Sequence, residues 1–193
     1  MGKSILIVGV GGQGTLLASK IMGNVFMENG DIRVGEVHGM SQRGGSVVTY
    51  VKYGERVYSP LIDKGEADMI LSFEPLEAAR WLPYLKKGGV VITGTDRIDP
   101  MPVISGKAKY PEDIEEKIKD LGVKLVSVDA GALALQAGSP KAVNTVLLGV
   151  ASLFLDASQQ AWESAVSASV PQSFVDINIK AFGLGRKEGE GNK

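Results

Sequence analysis

The sequence predicts an α/β fold, a single three-layer α/β/α domain with a mostly parallel, mixed sheet and a helical C-terminal third. Three observations predict it. The run Ile5-Leu-Ile-Val-Gly-Val10 is apolar, ends in the closely spaced glycines 9, 11, 12 and 14, and leads directly into a helical pattern, the signature of strand, tight turn and helix. About six or seven short apolar runs follow one another along the chain, many with a helical segment between them, which is how a sheet covered on both faces reads. One hairpin, Val47–Val51 turned at Tyr53-Gly54-Glu55 into Arg56–Tyr58, departs from pure β-α alternation, so the sheet is expected to be mixed rather than purely parallel.

In chain order, Leu17, Ile21 and Val25 recur every fourth residue, with Leu16, Met22 and Phe26 beside them. This is the stripe of a helix lying on a sheet. Asn29-Gly30 stops it, because glycine takes positive φ at little cost, and Ile32–Val37 then completes a β-α-β unit. Val47–Val51 is strongly β, and Tyr53-Gly54-Glu55 is expected to turn the chain into a brief strand, Arg56–Tyr58. Ala67–Phe73 reads as a buried strand, and Glu74-Pro75-Leu76-Glu77 opens a helix, with proline early and acids in the first turn. Lys86–Gly89 closes that helical unit and Val90–Thr93 is a further strand. Thr95–Lys109 is a proline- and glycine-punctuated connection, and Pro111–Leu121 a charged surface helix stopped by Gly122. Val123–Val128 is the last strand, with Asp129 at its C-terminal end. Helices are then expected over Ala130–Ala137, Ala142–Leu155 and Phe174–Phe182. The domain spans residues 1–183, and the glycine- and charge-rich residues 184–193 form a flexible tail.

Composition excludes several functions. A chain of 193 residues builds about one core. Lys+Arg 21 against Asp+Glu 22 leaves a net charge of -1, so there is no broad electrostatic footprint for nucleic acid or an acidic membrane. With no cysteine there are no disulfides, no thiol nucleophile and no thiolate ligands for an iron–sulfur cluster. His38 is the only histidine, which disfavours a zinc site or a histidine-based triad. Met-Gly-Lys runs at once into a strand pattern without a cleavable signal, and no apolar stretch is long enough for a bilayer. A cytoplasmic protein is expected.

Four features carry candidate chemistry. Gly9-x-Gly11-x-x-Gly14 after a strand fits a phosphate-binding turn, and Glu36 stands near the place of a ribose-binding acid. The same glycines serve a tight turn that binds no ligand, and Gly12-Gln13 departs from the usual apolar spacing residues. The stretch His38-Gly-Met-Ser41-Gln42-Arg43-Gly44-Gly45-Ser46 puts an arginine among glycines and hydrogen-bonding side chains, able to grip a carboxylate or phosphate or to make a subunit contact. His38 has the chemistry of a base, and equally of a hydrogen-bonded structural residue. Glu74 and Glu77 lie on one face of a helical turn, where dipole complementarity accounts for them. Asn144 and Thr145, opening a helical run, read as caps.

Taken together, Gly9-Val-Gly-Gly-Gln-Gly14, His38-Gly-Met-Ser-Gln-Arg-Gly-Gly-Ser-Val47, Ser59-Pro60, Ala67-Asp68, Phe73-Glu-Pro-Leu-Glu77, Val143-Asn144 and Leu148-Gly149 resemble the gamma-type domain of 2-oxoacid:ferredoxin oxidoreductases. Within it the pyruvate/ketoisovalerate and, most closely, the free-standing indolepyruvate-type subunits are similar, from about residue 3 to about residue 185. The resemblance implies a Rossmann-like subunit of an enzyme that oxidatively decarboxylates a 2-oxoacid, passing the acyl group to coenzyme A and electrons to ferredoxin. It implies no cofactor on this chain, with thiamine diphosphate, Mg and iron–sulfur clusters on a larger partner subunit through which ferredoxin is reached. The lack of cysteine agrees independently. A homodimer is a further expectation; nucleic-acid and membrane partners are not. No residue is assigned a catalytic role, and the isolated chain is expected to be inactive. Gly11, Gly12, Gln13, Gly14, His38, Ser41, Gln42, Arg43, Gly44 and Glu74 are expected to bind ligand or face the partner. Two alternatives stay open: an NAD- or FAD-dependent oxidoreductase using Gly9–Gly14, and a non-catalytic assembly module.

Overall fold

The computed structural model describes residues 2–27, 30–37 and 45–192. Its centre is β1, Lys3–Val10, in which every residue from Ser4 to Val10 is buried. Such a continuous apolar run is required of a strand covered on both faces. Ile5 and Ile7 join the larger core and Leu6 and Val8 the smaller, as alternation along a strand dictates. Helix α1, Thr15–Phe26, follows the glycine turn.

β2, Asp31–Val37, and β3, Ser46–Gly54, form an antiparallel pair in register Asp31 with Gly54 through Val37 with Val48. β3 pairs antiparallel with β1, from Lys3 with Tyr53 to Val10 with Ser46. The two strands of the expected β-α-β unit therefore run the same way, but β3 lies between them. β4, Ala67–Ser72, adds parallel to β1. β5, Leu85–Gly94, adds parallel to β4, and β6, Lys124–Val128, parallel to β5. The order is β2-β3-β1-β4-β5-β6, mixed as expected, but the antiparallel strand is β3 between β2 and β1 rather than a hairpin of residues 47–51 with 56–58.

Helix α2, Pro75–Trp81, a 3-10 turn at Leu82–Tyr84, the short α3, Met101–Ile104, and α4, Ile114–Asp120, complete the first two thirds. α5, Ala130–Ala137, α6, Val143–Ala151, α7, Gln159–Ser169, and α8, Val175–Gly191, make the helical third. Residues of α1, α5, α6, α7 and α8 share the larger core with one sheet face, whereas α2 and α4 cover the other. No helix among the described residues is long and apolar enough to cross a membrane.

Lys86–Gly89, expected to close the helical unit, belong instead to β5, and two further expectations are corrected. Arg56–Tyr58 is not a strand: β3 continues to Gly54 and both of its edges are already taken, by β1 and β2. The stretch expected as a flexible tail is helical to Gly191, with Gly185 and Gly189 buried. Its glycines are contact positions. A Cβ on Gly185 would lie 1.9 Å from the Val146 carbonyl oxygen, and one on Gly149 2.2 Å from that of Phe182, so α6 and α8 approach backbone to backbone. Finally, α7 was not expected at all, yet it carries the fully buried Trp162, edge-on to Phe26 at 5.8 Å and stacked near Phe182 at 6.0 Å.

Candidate functional site

Because β1, β4, β5 and β6 are parallel, their C-terminal ends share one pole. In open α/β sheets ligands bind at that pole, in the crevice where the chain leaves neighbouring strands for opposite faces. Here the crevice lies between β1, which leads to α1, and β4, which leads to α2 on the other face.

The glycine turn sits in this crevice and is closed by its own chain. Gly12 and Gly14 adopt positive φ, 96° and 88°, which explains glycine at those two positions. Gly11 N donates to Gly45 O at 3.1 Å and Gln13 N to Val10 O at 3.2 Å. The Gln13 amide bridges both strands, with Oε1 accepting from Val10 N at 2.7 Å and Nε2 donating to Phe73 O at 3.1 Å. Over Gly14 stands Asn144: its Nδ2 donates to Gly14 O at 3.4 Å and would lie 2.8 Å from a Cβ there. Asn144 is itself held in a buried polar group, where Thr145 Oγ1 donates to Asn178 Oδ1 at 2.7 Å and Asn178 Nδ2 to Phe174 O at 2.9 Å.

These residues do not fit a dinucleotide. The crevice is spanned by Gln13 and flanked by Asn144. Glu36 pairs with Thr49 on β3, not with a residue of β1. It therefore stands two strand spacings, about 9.6 Å, from β1, whereas a ribose-binding acid belongs to the strand beside the glycine turn in the dinucleotide fold. An iron–sulfur cluster is likewise unsupported, because the chain has no cysteine. Among the described residues no group of three or more His, Cys, Asp and Glu is placed to hold a metal.

Beside the turn, α2 sets two buried carboxylates. Glu74, 1% exposed, is the N-cap, and its Oε2 accepts from Glu77 N at 3.0 Å. Its Oε1 accepts from the Tyr110 hydroxyl and from Ile98 N at 3.4 Å. Burial, and then the carboxylate it donates to, raises the Tyr110 phenol above the ordinary tyrosine range. Arg97 lies over the Tyr110 ring at 4.1 Å and bonds Asp99 through Nε at 2.6 Å. Glu74 thus pins the connection after β5 across the end of the sheet. Glu77, 4% exposed, accepts from the Ser46 hydroxyl and from Arg80 Nε at 3.1 Å.

Of the residues singled out from sequence, Gly11, Gly12, Gln13, Gly14 and Glu74 meet at this pole, joined through Phe73, whose carbonyl takes the Gln13 amide. His38, Ser41, Gln42, Arg43 and Gly44 lie outside the described residues. The flanks of that segment, Val37 and Gly45, are at the same pole, since Val37 pairs with Val48 and Gly45 O accepts from Gly11 N. Sequence reasoning missed Ser46 and Tyr110 as partners of the two glutamates, and it took Asn144 for a cap although it reaches Gly14, 130 positions away in the chain. Only the polarity of Asn144 and Thr145 in an otherwise apolar helix hinted at that.

The chain matches the family described as pyruvate ferredoxin/flavodoxin oxidoreductase over residues 4–188. It is 46% identical over 190 residues to the indolepyruvate oxidoreductase subunit IorB of Thermococcus kodakarensis, covering 95% of this chain and 94% of that protein. It is 44% identical over 190 residues to the subunit of the same name from Pyrococcus horikoshii, with the same coverage of both chains. Among solved structures, the gamma subunit of a keto/oxoacid ferredoxin oxidoreductase from Geobacter sulfurreducens superposes with a TM-score of 0.71 at 23% identity, over 98% of this chain and 99% of that one, and so shares its fold. The α/β architecture and the near end-to-end sequence match agree, and the chain belongs to the pyruvate ferredoxin/flavodoxin oxidoreductase family.

Proposed function

We propose that this chain is the small, cluster-free subunit of an indolepyruvate:ferredoxin oxidoreductase, acting with a larger subunit in the oxidative decarboxylation of an aryl 2-oxoacid to its acyl-CoA, with electrons passed to ferredoxin. The observation that carries this reading is the 46% identity to an indolepyruvate oxidoreductase subunit over nearly the whole of both chains. The absence of cysteine supports the same division of labour, because the clusters that take the electrons need thiolates. Thiamine diphosphate, with its Mg, belongs in this reading to the larger subunit and supplies the carbanion stabilisation that decarboxylation requires.

What this chain contributes is a rigid wall. The glycine turn, closed by Gln13 and flanked by Asn144, presents a fixed backbone surface rather than a cofactor cradle. Arg43, outside the described residues, is the group we assign to an anionic part of substrate, coenzyme A or the partner. Co-expressing the chain with its native larger subunit tests the reading. Indolepyruvate- and coenzyme A-dependent dye reduction is expected in the complex and in neither chain alone. Equal activity of the well-folded larger subunit without this chain would reduce it to an assembly module.

A further inference from the structure

The feature that the preceding reading leaves unexplained is a cavity of about 440 Å³ beside the glycine turn. Its walls are apolar, formed by Val10, Leu76, Ile98, Pro100, Met101 and Pro102. Glu74, Glu77, Ser46 and Arg80 also line it. Capping explains why α2 begins with acids. It does not explain why two carboxylates, 1% and 4% exposed, stand against open apolar space.

Charge and exposure decide what fits there. Glu77 is paired with Arg80, but among the described residues Glu74 has only neutral donors, the Glu77 and Ile98 backbone N–H groups and the Tyr110 hydroxyl. Among the described residues one guanidinium thus faces two carboxylates, and their charges leave an excess of negative charge in a setting that screens it poorly. Of the walls, Met101 is 59% exposed, and Ile104 further along the same segment 66%. An exposed methionine beside prolines offers an adaptable apolar contact. Apolar walls with a net negative charge suit an apolar segment that brings one basic side chain, the arrangement of an arginine anchor in an interface pocket.

We infer that this cavity docks a segment of the larger subunit, apolar with an arginine or lysine among its residues, the cation seated toward Glu77 and Glu74. The inference rests on the subunit reading above and adds where, and by what chemistry, the subunits join.

The test measures binding of the purified, native larger subunit to this chain by fluorescence anisotropy, with melting temperatures as the folding control. Met101→Glu places a charge on the exposed rim, and we expect about tenfold weaker binding at unchanged melting temperature. Glu77→Gln keeps an acceptor for Ser46 but removes the charge; we expect a similar loss at low salt, shrinking as sodium chloride is raised. Leu121→Glu, on a residue 70% exposed at the C-cap of α4, is expected to bind like the wild type. Wild-type affinity for both Met101→Glu and Glu77→Gln overturns the inference. A loss in Met101→Glu alone overturns the basic anchor. If the wild-type chain itself does not bind the larger subunit, it is the subunit reading that fails.

Discussion

Removing the Gln13 side chain tests whether the glycine turn is closed from within. Its amide accepts from Val10 N at 2.7 Å and donates to Phe73 O at 3.1 Å. Val10 is 8% and Phe73 1% exposed, so Gln13→Ala orphans two backbone groups that water reaches poorly. A buried group left without its partner costs about 1–3 kcal/mol. Gly12, on the outer side of the turn, is exposed, and water entering there offsets part of the loss, leaving about 2–3 kcal/mol in total. For a chain of this size the melting temperature then falls by roughly 4–12 °C.

Gln13→Glu is the sharper probe. One carboxylate oxygen keeps the Val10 N–H, but the other faces the Phe73 carbonyl, acceptor against acceptor. Protonation relieves the clash, so the folded state binds the proton more tightly than the unfolded chain, whose glutamate titrates at about 4.3. A folded-state value raised in this way adds stability that is fully present below the unfolded value and lost as pH rises through the folded one. Urea midpoints of Gln13→Glu are therefore expected to approach the wild type near about pH 4 and to fall behind it toward neutrality. A cost below about 0.5 kcal/mol for Gln13→Ala, the range of ordinary surface changes, together with a pH profile of Gln13→Glu that tracks the wild type, would refute the closed turn.

Gly185→Ala drives a methyl group to 1.9 Å from the Val146 carbonyl oxygen. Denaturant unfolding should show a loss at or above the upper end of about 1–3 kcal/mol. Gly183→Ala, with nothing within 4 Å of its Cβ, should stabilise the same helix by about 0.5–1 kcal/mol. Trp162→Ala empties a fully buried site in the larger core and should cost about 3–5 kcal/mol by the same measurement. Titrating the chain with NAD or FAD to millimolar concentration should give no saturable binding by calorimetry.

What was legible in the sequence follows the periodicity of its apolar residues. β1 could be read because both its faces are buried, and α1 because Leu17, Ile21 and Val25 form a stripe. Their placement was less visible. That β3 inserts between β1 and β2 is a matter of which edges pair, and pairing is non-local. α7 escaped notice because serine, alanine and glutamine fill most of it, leaving its buried stripe to Trp162, Ala165 and Val166. The C-terminal end of α8 was misread for a physical reason: glycine is a poor helix former in isolation, yet at Gly185 its missing side chain is what admits α6.

The candidate site divides in the same way. The glycine turn and Glu74 stood out from local pattern, and their shared pole was inferred from strand ends. Their partners are distant in sequence: Asn144 lies 130 positions from Gly14, Tyr110 36 from Glu74 and Ser46 31 from Glu77. Nothing in the spacing of one segment encodes those meetings.

The central claim is that this chain completes an oxoacid-oxidising enzyme whose redox groups lie elsewhere. Titrating the purified larger subunit with this chain, and following indolepyruvate- and coenzyme A-dependent ferredoxin reduction, tests it most directly. The account predicts activity that rises from background and saturates at a fixed ratio of the two chains. Activity of the larger subunit that is already full and does not change on adding the chain would contradict it.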